Sequence, residues 1–127
     1  MSFAYLDTHA AVFLHDGLIE EFSSEARRQL ESNDLLISPT VLLEFDYLFQ
    51  RRRIGIGAKT LFATINASFG VELCDFPFPR IANEALDIHW TNDPFDRLIV
   101  AHARANDSSV LITRDRVIRK NYPAAVW

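Results

Sequence analysis

Four carboxylates, Asp7, Glu44, Asp96 and Asp115, stand where the sequence pattern could put them to chemical use. Asp7 follows the apolar run Phe3-Ala4-Tyr5-Leu6. Asp115 comes just after Val110-Leu111-Ile112-Thr113. Short apolar runs of this kind read as buried strands. Ligands of an open parallel sheet bind beyond the carboxyl ends of its strands, so both aspartates are expected at one edge. The competing reading is that each caps the helix after it. Glu44 lies in Val41-Leu42-Leu43-Glu44-Phe45-Asp46-Tyr47-Leu48-Phe49, and its neighbours at helical spacing include Val41, Tyr47 and Leu48. It should face inward, where a lone ionised carboxylate is costly and needs a partner, either an arginine or a cation shared with other acids. Asp46 points to another face and should be solvated. In Asp93-Pro94-Phe95-Asp96-Arg97, Asp93 fits a helix cap and Pro94 the first helical position. Asp96 at the third position is read as functional rather than as part of a capping box.

Carboxylates gathered at one strand edge repel one another and hold protons more tightly. A hard divalent cation with oxygen ligands, magnesium or manganese, relieves that repulsion. Such an ion can activate a water, hold a phosphate and stabilise a leaving oxygen, which is the logic of phosphodiester hydrolysis. Other chemistries have less support. The sequence holds no P-loop, no G-x-G-x-x-G and no G-x-S-x-G. Asp7 is followed by Thr8-His9, not by the second aspartate of a haloacid-type phosphatase. A histidine pair, His9 with His102, could cut RNA through its 2′-hydroxyl, but nothing in their spacing makes them a pair.

The elements that must position these acids follow from the apolar pattern. Strands are expected near 3–6, 35–37, 71–73 and 110–113, with a fifth possible at 124–127. Ser38-Pro39 starts a helix to about Arg53, serine as cap and proline first inside. Leu18, Phe22, Ala26 and Leu30 recur at helical spacing, so one amphipathic helix is expected over 18–32. Further helices are expected from Thr8 to Leu14, from Ala58 to Ser68, after Pro77 and Pro79 to about Ile88, and from Asp93 to about Ala105. Short apolar strands alternating with longer helices predict a parallel sheet covered on both faces. Leu42, Phe45 and Phe49 form an apolar stripe that reads as core before it reads as an interface.

The 127 residues suit one domain spanning 1–127, and the 49% hydrophobic content with ten phenylalanines suits a packed core. Cys74 is alone, so no internal disulfide is possible; it reads as buried filler in a cytoplasmic protein. The first residues do not read as a signal peptide, and no apolar run approaches the roughly 18 residues of a membrane span. The net charge of −4 argues against coating nucleic acid by charge alone. Basic residues do cluster at Arg51, Arg52, Arg53 and Lys59, and again at Arg114, Arg116, Arg119 and Lys120. They read equally as solvated helix ends or as phosphate contacts.

Tyr5-Leu6-Asp7-Thr8-His9 resembles the opening of a PIN domain, and Ile37-Ser38-Pro39-Thr40-Val41-Leu42-Leu43-Glu44 resembles its second acidic motif. Asn92-Asp93-Pro94-Phe95-Asp96-Arg97-Leu98-Ile99-Val100-Ala101 is similar to the third, in the form found in VapC-type toxins. Leu111-Ile112-Thr113-Arg114-Asp115 is similar to the fourth. The resemblance implies an α/β/α sandwich around a parallel sheet of four or five strands. It implies magnesium or manganese held by Asp7, Glu44, Asp96 and Asp115, with Thr8 and Thr113 steadying the site. It further implies a ribonuclease toxin that dimerises and is restrained by a small VapB-like antitoxin. The alternatives are a PIN-like module that binds RNA or protein without cutting, and a small metal-dependent phosphatase.

Overall fold

The computed structural model describes residues 2–127. Five strands, β1 (Phe3–Leu6), β2 (Asp34–Ile37), β3 (Glu72–Leu73), β4 (Val110–Ile112) and β5 (Ala125–Val126), form one sheet in the order β3-β2-β1-β4-β5. Every pairing is parallel. Ala4, Tyr5 and Leu6 are all fully buried, as a central strand covered on both faces requires. The two edge strands, β3 and β5, are only two residues long, which leaves little unpaired edge.

The helices are α1 (Thr8–His15), α2 (Ser24–Ser32), α3 (Pro39–Gln50), α4 (Ala58–Phe69), α5 (Phe78–Ala85), α6 (Pro94–Ala105) and α7 (Arg116–Asn121). The chain steps from β1 to β2 to β3 in one direction, then returns across the sheet to β4 and β5. Right-handed crossovers place α1 to α4 on one face and α5 to α7 on the other. The packing agrees for α1 with α3 and α4 and for α5 along α6, while α3 also reaches α6, the helices that carry Glu44 and Asp96 to one cleft. The result is the three-layer α/β/α sandwich expected from the sequence.

Several element ends carry their sequence signals. The Ser38 side chain accepts from the Thr40 amide at 3.1 Å and Pro39 opens α3. Gly70 closes α4 in the left-handed region, φ 70°, where its lack of a Cβ removes the usual penalty.

The expected helix over 18–32 is broken. A 3-10 turn covers Ile19–Glu21, and α2 begins only after Ser23, whose side chain accepts from the Ala26 amide. The serine hydroxyl competes for that amide and restarts the helix. Phe22, freed from helical register, is buried with its ring 4.8 Å from that of Trp127. Helix α3 also stops short of Arg53, at Gln50, where Arg52 adopts a left-handed φ of 57°. The apolar stripe divides, with Phe45 buried, Leu42 half-buried and Phe49 exposed. Leu43 and Tyr47 are the most exposed large apolar residues of α3.

Helix α6 is clamped to α5. The Arg97 guanidinium donates to the Ala85 carbonyl, Nη2 at 3.0 Å, and Arg104 pairs with Glu84 at 2.8 Å. This fixes the first turn of α6, which carries Asp96, above the sheet edge.

Candidate active site

Strands β1 and β4 are neighbours from which the chain departs in opposite directions, so their carboxyl ends form the topological switch point where such sheets open a crevice. Asp7 continues β1, with its amide donating to the Ile112 carbonyl at 3.1 Å. Its carboxylate is buried and doubly held: Oδ1 accepts from the Ala10 amide at 2.9 Å, and Oδ2 accepts from the Thr113 hydroxyl. Thr113 follows β4, so this hydrogen bond ties the two strand ends together. Thr113 Oγ1 also accepts from the Asp115 amide at 3.1 Å. Asp115 caps α7, with Oδ1 accepting from the Ile118 amide at 2.9 Å. Capping and a place in the cleft are therefore compatible roles for both aspartates.

The other two acids enter from different helices. Glu44 on α3 is half-buried and accepts from the Thr8 hydroxyl at the start of α1. Among the described residues no ion pair engages it, so the arginine alternative does not apply. Asp93 caps α6, its Oδ1 accepting from the amides of Phe95 and Asp96. The Asp96 carboxylate accepts no hydrogen bond among the described residues, which sets aside a capping-box role.

All four acids line one cleft of about 430 Å³, together with Asp93, Thr8, His9, Phe13 and Arg114. His102 lies elsewhere, buried with Nδ1 3.0 Å from the Leu98 carbonyl oxygen, so the histidine pair does not form. Of the basic clusters, Arg114 reaches the cleft. Its guanidinium sits 5.8 Å from the Phe13 ring centre and 5.9 Å from that of Trp127. His9, considered in the sequence only as half of a histidine pair, lines the cleft beside Phe13, which no motif marks. Their spacing of four on α1 was the available signal, since it puts them on one helix face.

The electrostatics follow from this crowding. Burial pushes the Asp7 carboxyl above its ordinary range, against the hydrogen bonds from Thr113 and Ala10. Burial likewise raises Glu44, offset in part by Thr8 and reinforced by Asp93 and Asp7. Asp96 is pushed up to about 7, first by burial and then by repulsion from Asp93, Asp115, Glu44 and Asp7. An all-oxygen donor set in which Asp7, Glu44 and Asp96 hold protons this tightly is chemically suited to a hard divalent cation. The donors stand around the cleft and not on a single point: among the described residues no three acidic, histidine or cysteine side chains converge.

Thr113 is the keystone of the strand ends. Thr113→Val should destabilise the fold by roughly 1–3 kcal/mol, because Asp7 loses a donor and the Asp115 amide an acceptor. Urea denaturation in EDTA measures this, and an unchanged midpoint would remove Thr113 from that role.

A parallel α/β sandwich with a carboxylate-rich crevice at its switch point is the class that fold and site define together. The family model described as PIN domain matches residues 4–122, and the chain belongs to that family. No curated protein matches the sequence significantly. Among solved structures, the fold is similar to a chain of VapBC2 from Rickettsia felis bound to a DNA fragment from their promoter. That match has TM-score 0.66 and 16% identity, and covers 98% of this chain and 96% of the other. It is also similar to a chain of DNA-bound VapBC from Salmonella typhimurium, with TM-score 0.61, 19% identity and coverage of 99% and 96%.

Proposed function

We propose that this chain is a metal-dependent endoribonuclease and the toxin of a toxin–antitoxin pair. The observation that carries the enzymatic reading is the gathering of Asp7, Glu44, Asp96 and Asp115 in one cleft at the switch point. Membership of the PIN family and the likeness to chains of VapBC complexes support the toxin reading and a VapB-like antitoxin as partner.

Magnesium or manganese, held by Asp7, Glu44, Asp96 and Asp115, supplies the polarisation of a water and of the scissile phosphate when bound. Asp7 is the fixed member of the set, because both its oxygens are already oriented by Ala10 and Thr113. Thr8 orients Glu44 in the same way. Asp96 must lose its proton before it can ligate. Arg114, braced over Phe13 and Trp127, offers a cation to a phosphate at the lip of the cleft.

Cleavage of mixed cellular RNA by antitoxin-free protein should proceed with manganese and stop with excess EDTA. The products should carry a 5′-phosphate and a 3′-hydroxyl, because water adds to phosphorus as the P–O3′ bond breaks and the 3′-oxygen leaves with a proton. Products ending in 2′,3′-cyclic phosphate would overturn this mechanism. Activity on mononucleotides alone would point to a phosphatase, and folded protein that binds RNA without cutting it would point to a binding module.

The toxin reading also includes a homodimer. The exposed Leu43 and Tyr47 of α3 are apolar surface that such an interface could cover. Size-exclusion chromatography with light scattering should give about twice the 14.5 kDa chain mass. A monomer at micromolar concentration would count against the dimer.

A further inference from the structure

A second cavity of about 600 Å³ adjoins the acidic cleft and shares His9 and Phe13 with it. Its walls are Val12, Phe13, Leu48, Ile54, Ile56 and Leu61. Its remaining lining is polar: His9, His15, Asp16 and Arg53, with the backbone of Gly55. His15 Nδ1 and Asp16 Oδ1 are 2.8 Å apart, and Asp16 keeps its second carboxylate oxygen free of any hydrogen bond among the described residues. Arg53 follows Arg52, whose left-handed φ of 57° ends α3 and turns the chain into the pocket wall. A mainly apolar lining with a few polar groups is the usual make-up of a small-ligand site.

We propose that this cavity is a base-binding subsite that takes one unpaired nucleobase of the RNA strand whose phosphate lies in the acidic cleft. The inference rests on the ribonuclease reading above and adds a recognition element to it. The charge balance calls for such an element. The chain carries −4 overall and its cleft is lined with acids, so phosphate contacts alone give weak hold on a polyanion. Single-stranded RNA offers another source of affinity, because an unstacked base can enter an apolar pocket and present its hydrogen-bonding edge. The shared wall at His9 and Phe13 puts such a base beside the phosphate in the cleft. Asp16 can accept from a base amino or imino group. Arg53 can donate to a base carbonyl or to the adjoining phosphate.

The test is equilibrium binding of short single-stranded RNA to the full chain in EDTA, with the oligomer checked for integrity afterwards. Each oligomer is compared with one of equal length in which a single nucleotide is abasic. The scan of abasic positions should find one position at which affinity falls on the order of tenfold, the scale of one stacked base. Gly55→Trp places a bulky indole on the lining of the cavity to obstruct it. The backbone there tolerates a side chain, since a Cβ would meet nothing within 4 Å. That variant should bind intact RNA as weakly as the wild type binds the abasic strand, with no further loss on the abasic strand. Arg53→Ala should lower affinity for intact RNA several-fold, and it provides a second probe should the tryptophan variant fail to fold.

Equal affinity for intact and abasic strands at every position would overturn the subsite, as would no binding of either. So would unchanged base dependence in a folded Gly55→Trp variant. Those outcomes leave the nuclease reading standing if the wild type still cuts RNA with manganese. Base-dependent binding without cleavage would fail the nuclease reading and leave the subsite.

Discussion

Replacing Asp7 by asparagine should abolish most metal-dependent RNA cleavage while leaving a folded protein. Asp7 is buried, and its two oxygens are oriented by the Ala10 amide of α1 and the Thr113 hydroxyl beyond β4, so it cannot swing away and be replaced by a neighbour. Loss of a group that merely orients a ligand typically reduces affinity or activity by roughly ten- to a hundredfold, and loss of the ligand itself should exceed that. The fold should survive because asparagine keeps the oxygen that caps α1. Its amide would face Thr113 Oγ1, whose hydroxyl must turn elsewhere, at a cost of about 1 kcal/mol. Removing a buried carboxylate works the other way, since burial already opposes the charge there. Circular dichroism should therefore match the wild type, while calorimetric titration with manganese shows weakened binding. Full cleavage by Asp7→Asn would remove Asp7 from the site. Lost cleavage with unchanged metal affinity would move its role from ligand to substrate positioning.

The elements around Asp7 were legible because their signals are local. An apolar run ends at Leu6, another ends at Thr113, and Ser38-Pro39 and Asp93-Pro94 each join a good cap to a proline at the first helical position. The structure uses each of these, with β4 ending at Ile112, one residue before Thr113. The convergence of the acids depends instead on which strands pair. The contact between Thr113 and Asp7 spans 106 positions of sequence. It exists because β4 inserts beside β1, a choice made by the whole sheet and by no local pattern. The break at Ser23 was hidden for a related reason. Leu18, Phe22, Ala26 and Leu30 keep helical spacing, but Phe22 is claimed by the core, where its ring packs on those of Phe13 and Trp127. Tertiary burial of one aromatic ring outweighs the weak propensity of a short helix.

Asp96 provides the second large effect, and it appears without any substrate. The folded chain holds the Asp96 proton from its ordinary 3.8 up to about 7. Between those values the native state binds more protons than the unfolded state, so stability falls as pH rises through this window. The penalty is absent below about pH 4 and complete above about pH 7. Glu44 and Asp7 are raised as well and add to the same slope. At face value the Asp96 shift corresponds to about 4 kcal/mol. The side chain is only half-buried, and solvent screening reduces this to the order of 1–2 kcal/mol. Asp96→Asn removes the charge and keeps the shape. In EDTA at pH 7.5 its Tm should exceed the wild-type value by about 3–6 °C, and the gap should close near pH 4. Magnesium should then reverse the ranking, because a cation bound by the folded wild type raises its Tm and the variant gains less. The same group links stability to activity, since a proton that must leave Asp96 before it ligates weakens metal binding below neutrality. Differential scanning fluorimetry across pH, with and without magnesium, reads both effects together. A wild-type pH slope that persists unchanged in Asp96→Asn would assign the stored repulsion to other carboxylates of the cleft. Equal magnesium stabilisation of both proteins would take Asp96 out of the metal site.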